Sequence, residues 1–189
     1  YQDWDLICDN TGTCNMAGYQ EERDGSEHPV SILFTRSAGE QAPVTAQLAL
    51  LPDDVGNKTA EIILNGQSLG TVPNISEDGN AKLSEKQTTE LLTALKGNAS
   101  IEVIFGEFKE KVSDKGAAAA MLKMDEFQQR LNTPSALIRQ GQEKHAVLAP
   151  QAAPQIDAVS VKNLQTTELK RGEKQFDAVD RKSTRLNSS

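Results

Sequence analysis

The sequence predicts a mainly β protein with α structure added (α+β): an antiparallel, β-sandwich-like domain with two helices, followed by a disordered tail. Three observations predict it. Short stretches of alternating apolar residues recur at close spacing between turn signals, as antiparallel sheets require. Two segments change to a helical period. After Gly141 the apolar periodicity fails altogether.

Trp4 to Cys8 predicts the first strand, with Trp4, Leu6 and Cys8 on one face. Asp9, Asn10, Thr11 and Gly12 supply turn chemistry, and Cys14 to Tyr19 returns as the partner strand. The only two cysteines of the chain, Cys8 and Cys14, thus flank one tight turn. They can meet across the hairpin at disulfide distance, and a reduced pair with one thiol buried is the alternative at this stage. A bond closing so small a loop contributes about 2–3 kcal/mol at most. The spacing excludes a redox CxxC motif, and a zinc site lacks its other ligands.

Residues 21–29 form a charged loop. Val30 to Arg36 and Val44 to Leu51 follow as strands, joined through Gly39 and Pro43. Ala60 to Leu64 and Gln67 to Val72 bracket Asn65-Gly66, a strong short hairpin signal. Ser84 to Lys96 predicts a helix: Ser84 and Gln87 make a capping box, Leu91, Leu92 and Leu95 face inward, and Gly97 offers a left-handed cap. Ile101 to Phe105 alternates as a strand, and Glu107 to Val112 extends it or begins another. The second helix carries Ser113 as its N-cap and Asp114 at its positive end. Its stripe of Ala117, Ala120, Met121, Met124, Phe127 and Leu131 is expected to cover the core, with Met124 at the centre. Asn132, Thr133 and Pro134 stop it. Ala136 to Ile138 is a short apolar piece.

Domain organisation follows from the same patterns. Residues 1–141 form the β-rich domain, residues 142–160 an Ala/Pro linker, and residues 161–189 an end too poor in apolar periodicity to close a core. The chain opens on Tyr1, with no apolar targeting segment, and is expected to begin inside a longer product.

Composition narrows the function. Of 189 residues, 37% are hydrophobic and 4% aromatic, which suits a modest aliphatic core. Residues 1–142 carry 12 basic and 21 acidic side chains, a net charge of −9. Such a surface argues against a phosphate backbone and against anionic lipid heads as partners. No run approaches the roughly 20 apolar residues of a membrane span. Walker, GxGxxG, HExxH and GxSxG motifs are lacking, and no cofactor is implied.

The remaining reactive groups read more simply as structure. His28 stands beside Glu27 and near Asp24 in the charged loop, where a metal or general-base role competes with plain exposure. His145, at the linker edge, reads as idle. The pairs Asp53-Asp54 and Glu21-Glu22 read as solvated charge. Asp125 sits beside the helix stripe, with Lys123 and Arg130 on other faces; it caps, pairs with a neighbouring base or edges the core. Met121 and Met124 read as core filler, and Trp4 as a core anchor. Asn57, Asn74 and Asn98 begin glycosylation sequons that matter only in a eukaryotic secreted protein.

Three passages carry a resemblance. DWDLICDNTGTCNMAGYQ at the start, PVSILFTRSAGEQAPVTAQLAL in the middle and GAAAAMLKMDEFQQRLNTPSALIRQG near residue 141 together resemble a bacterial family of unknown function, number 1176. The resemblance covers roughly residues 1–145. It implies an exported, periplasmic protein of the Gram-negative envelope, and a more distant likeness to invasion-associated locus B proteins implies a β-rich sandwich. The family pattern favours glycine near Gln129 and Asn132, where this chain departs from it. The family offers no catalytic residue to carry over. Export, in turn, favours the disulfide Cys8–Cys14. The closing RKSTRLNSS, residues 181–189, resembles translated sequencing-adapter read-through, which would set the end of the natural sequence within residues 150–181.

The function expected is therefore a structural or binding module of the cell envelope, acting on an unidentified envelope protein or ligand. The alternative is an envelope hydrolase whose active site lies partly in a missing C-terminal portion.

Overall fold

The computed structural model describes residues 1–22, 28–51, 53 and 59–155. The elements in chain order are β1 (Trp4–Cys8), β2 (Cys14–Tyr19), β3 (Val30–Arg36), β4 (Val44–Leu50), β5 (Ala60–Leu64), β6 (Gln67–Val72), β7 (Asn80–Lys82), α1 (Glu85–Ala94), β8 (Ile101–Phe105), β9 (Phe108–Val112) and α2 (Ala117–Phe127). Two antiparallel sheets result, one ordered β1-β2-β3-β4-β7 and the other β6-β5-β8-β9. They are joined along one side. Beyond the end of β2, Gln20 bridges Val112 of β9, Glu21 N donates to Lys111 O, and Ser113 N donates to Tyr19 O.

Strand alternation sets the core. In β3 the side chains of Val30, Ile32, Phe34 and Arg36 are buried, while Ser31, Leu33 and Thr35 are half-buried. In β8 Ile101, Val103 and Phe105 are buried in the same way. Trp4 is the anchor expected: fully buried, stacked on Phe34 with ring centroids 6.0 Å apart, its indole N–H donating to Ser113 O at 2.8 Å. Its cross-strand partner is Gly18, and a Cβ there would lie 2.2 Å from the indole ring. The glycine leaves the space over which the ring lies.

Helix α2 packs on β1 and β2 through Ala117, Ala120, Met121 and Met124, all fully buried. The small alanines let its first turns approach the sheet. Helix α1 begins as the sequence predicts. Ser84 accepts from Gln87 N, the Gln87 side chain reaches back to Ser84 N, and Leu91, Leu92 and Leu95 are buried.

Five expectations need correction. Ser113 does not cap α2: it is buried, its hydroxyl accepts from Lys115 N, and Gly116 at φ 96° is the N-cap. A Cβ at Gly116 would lie 1.7 Å from Tyr1 O, so the close approach demands glycine. At its other end α2 stops at Phe127 instead of running to Leu131, and Phe127 is 45% exposed rather than in the core. Gly97 is not among the positive-φ residues; α1 ends at Leu95 in the right-handed region, and Gly97 N bonds Ala94 O. The three-residue β7 was not anticipated, because a strand so short leaves no period to read. Lastly, the first compact unit runs Tyr1–Ala152, past the expected boundary at 141.

That extension has a physical cause. Glu143 N donates to Asn132 O, Leu148 N to Gln128 O, Gly39 N to Leu148 O and Gln151 N to Thr11 O, so the segment is tied to the domain by its backbone. Of the second unit, Ala153–Ser189, residues 153–155 are described and have no regular secondary structure. The expected tail 161–189, with the adapter-like residues 181–189, lies outside the described residues.

Candidate functional site

One end of the molecule is closed by a buried polar cluster centred on Arg36. Strand alternation carries Arg36 inward, in phase with Phe34, and helical spacing carries Asp125 inward beside Met124 and Met121. The two form an ion pair, Arg36 Nη2 to Asp125 Oδ1 at 2.7 Å, with 2% and 0% of the side chains exposed. The second carboxylate oxygen accepts from the backbone of Leu137 at 2.7 Å and of Ile138 at 3.0 Å. Gln128, the C-cap of α2, completes the centre. Its Oε1 accepts from Arg36 Nε at 2.6 Å, and its Nε2 donates to the carbonyls of Gly12 and Arg36.

Arg130 adds a second guanidinium, also buried. It donates to the carbonyls of Gly39 and Glu40, to Ser135 Oγ at 3.0 Å and to Gln128 Oε1. Burial pushes Arg36 below the ordinary arginine value, and the Asp125 hydrogen bond and charge oppose it. Arg130 is pushed down by burial and then by the Arg36 charge, against the pull of Asp125 and Glu40. Arginine starts so high that both stay cationic at neutral pH. The cluster joins the β1–β2 turn, the end of β3, the β3–β4 loop, the end of α2 and the chain that follows it. Each donor and acceptor named is engaged within the protein, so the cluster is a clasp rather than reactive machinery.

Beside the clasp lies an open polar cleft of about 600 Å³, lined among others by Glu40, Thr133, Ser135, Glu143, Lys144 and His145. Its chemistry is largely committed to holding the loops. His145 Nε2 bonds Gln129 O at 2.9 Å and its Nδ1 lies 3.5 Å from Glu143. Ser135 is held by Arg130 and by Thr133 Oγ1 at 3.1 Å. The histidine read as idle thus fastens the segment after Gly141 to the turn after α2.

The other candidates are not brought together. His28 is half-buried and stacks on Phe108 with ring centroids 3.6 Å apart; Asp24 and Glu27, its proposed companions, lie outside the described residues. Glu21 pairs with Lys111 at 3.2 Å, and Glu22 is exposed. Asp53 is exposed, while Asp54 and Asn57 lie outside the described residues. Among the described residues no group of three or more His, Cys, Asp or Glu could hold a metal ion, and no helix is long and apolar enough to cross a membrane.

At the same end of the molecule, where Cys14 pairs with Arg36 across β2 and β3, Cys8 and Cys14 are cross-strand partners with Cα atoms 4.0 Å apart, and their sulfurs are joined as a disulfide in this structure. Bonds from Tyr19 N to Asp3 O and from Asp9 N to Thr13 O place the cysteines at a non-hydrogen-bonded pair, where facing side chains come closest.

Fold and clasp together define a two-sheet β protein with two covering helices and no assembled catalytic set among the described residues. The chain belongs to the family described as protein of unknown function (DUF1176), which matches residues 1–188. The match extends past residue 145, the limit of the resemblance carried by the motifs. No curated protein matches the chain, and no solved structure does.

Proposed function

We propose that this protein is exported to the periplasm and serves the cell envelope as a structural or binding module. The observation that carries the proposal is the placement of Cys8 and Cys14 across the β1–β2 hairpin. Disulfides persist in oxidising compartments, and the chain has no other cysteine to offer a metal or a redox motif. Support for binding over catalysis comes from the use made of the polar groups. Arg36, Asp125, Gln128 and Arg130 hold loops, and His145 engages a carbonyl instead of Ser135. That arrangement also weakens the reading as a hydrolase, although one cleft does gather Ser135, Glu143 and His145.

The test is made on protein recovered from its own bacterial host by periplasmic extraction, unfolded without reductant and treated with a thiol reagent. The expected result is recovery in the periplasmic fraction with no reactive thiol. Two labelled cysteines, or recovery in the cytoplasm, would overturn the proposal.

A further inference from the structure

We propose that the open edge of β1, with the groove between it and α2, docks an extended peptide strand from a partner protein. The strand would carry an apolar residue between basic ones. This deepens the binding role proposed above and rests on it.

The first observation is the edge itself. Among the described residues β1 is the outer strand of its sheet and pairs with β2 alone. The bonds at Asp3–Tyr19 and Asp9–Thr13 fix the ladder, so Asp5 and Ile7 bond inward and Leu6 and Cys8 turn their peptide N–H and C=O outward. Among the described residues no group bonds these outward peptides. Trp4 has the same orientation, but its peptide is already engaged by Tyr1 on both N–H and C=O. Proteins normally blunt such edges with lysine, proline, bulges or cover. β1 has none of the first three, and its pairing with β2 runs from Trp4 to Cys8 without a shift. The Cys8–Cys14 link holds the strand in that register, so little order remains to be gained on binding.

The second observation is the groove. Tyr1, Leu6 and Cys8 on one side and Lys123, Glu126 and Phe127 of α2 on the other line a depression of about 480 Å³. Phe127 is the last stripe residue within α2, and the core does not take it. It and Tyr1 are about half exposed, and Ile7 on the other face of the strand is 70% exposed. A strand added to β1 places alternate side chains toward α2, where an apolar one meets Leu6, Tyr1 and Phe127. Backbone bonds to the edge and one pocket for an alternate side chain are how strand addition obtains affinity and specificity.

Charge selects the occupant. Asp5 and Asp9 are exposed along the edge on the face that carries Ile7, and Lys123 in the groove is already paired with Glu126 at 2.6 Å, which leaves the rim of the edge strand acidic. A second copy of this chain fits poorly. Antiparallel pairing of two β1 edges about Leu6 sets Asp3 opposite Asp9 twice, and like charges facing each other across strands are destabilising. An extended segment with lysine or arginine flanking its apolar residue complements the rim.

The experiment is selection of a random peptide library displayed on phage against the whole protein, followed by amide hydrogen exchange with the enriched peptide. Expected are sequences alternating apolar and basic residues, slowed exchange at Leu6 and Cys8, and binding weakened about tenfold or more by Phe127→Ala. Leu6→Pro, which removes an outward N–H from an edge strand, should have a similar effect, with folding checked by the melting curve. Absence of enrichment, protection elsewhere, binding indifferent to Phe127→Ala, or self-association through β1 would each overturn strand docking. If thiol labelling shows Cys8 and Cys14 bonded in periplasmic protein and no peptide is enriched, strand docking alone fails and the exported module stands.

Discussion

Met124 and Lys123 are chain neighbours with opposite fates. Met124 is fully buried beneath α2, whereas Lys123 is exposed and bonded to Glu126 one turn on. Met124→Ala should cost about 2–5 kcal/mol, the range for truncating a buried side chain of this size. Lys123→Ala should stay within about 0.5 kcal/mol, because an exposed pair three residues apart contributes little. Urea melts of the two variants measure the contrast, and equal effects would mean that α2 does not lie on the sheet as described. Arg36 obeys the same periodicity with the opposite chemistry: it sits in the inward row of β3 after Val30, Ile32 and Phe34. A charge in phase with an apolar row needs a buried partner, and Asp125 supplies it.

Among the elements, α2 is the most informative because its end sets the geometry of the clasp. Gln129 N bonds Glu126 O and Arg130 N bonds Asp125 O, with Gln129 at φ 56°. This is the Schellman arrangement, in which the residue after the cap takes the left-handed conformation that glycine adopts at least cost. Asn132, at φ 63°, makes a second left-handed turn three residues on. Gln129→Gly should therefore stabilise the protein by about 0.5–1 kcal/mol, read as a higher urea midpoint at unchanged slope. A loss of stability would show that the Gln129 side chain contributes more than its backbone strain costs.

At the scale of the whole molecule, the chain after Gly141 closes the clasp end. Leu148 lies against Gly12, at 3.0 Å from the site where Gly12 would bear a Cβ. Its backbone bonds both Gly39 and Gln128. A chain ended at Gly141 should fold but lose about 1–3 kcal/mol relative to one ended at Ala152, from the half-buried leucine and the bonds that go with it. Equilibrium unfolding of the two lengths decides this. Equal stability would restore the shorter boundary.

Much of the fold was legible in the sequence because it is written in local periods. Alternation placed β1, β2, β3, β5, β6 and β8, Asn65-Gly66 marked the β5–β6 turn, and Ser84 with Gln87 marked the start of α1. The inward stripe of α2 followed from its spacing, and the cysteines from the turn between them. The sequence by itself determined these features since each depends on residues a few positions apart. What tertiary structure decided involves residues far apart in the chain. Asp125 had three readings open until β3 brought Arg36 to it, at a sequence separation of 89. Ser113 read as a cap until the approach of the Tyr1 carbonyl required Gly116 at that place. Residues 142–152 read as linker because their bonds are to Thr11, Gly39, Gln128 and Asn132, none of which any local pattern in Ala, Pro and Gln can announce.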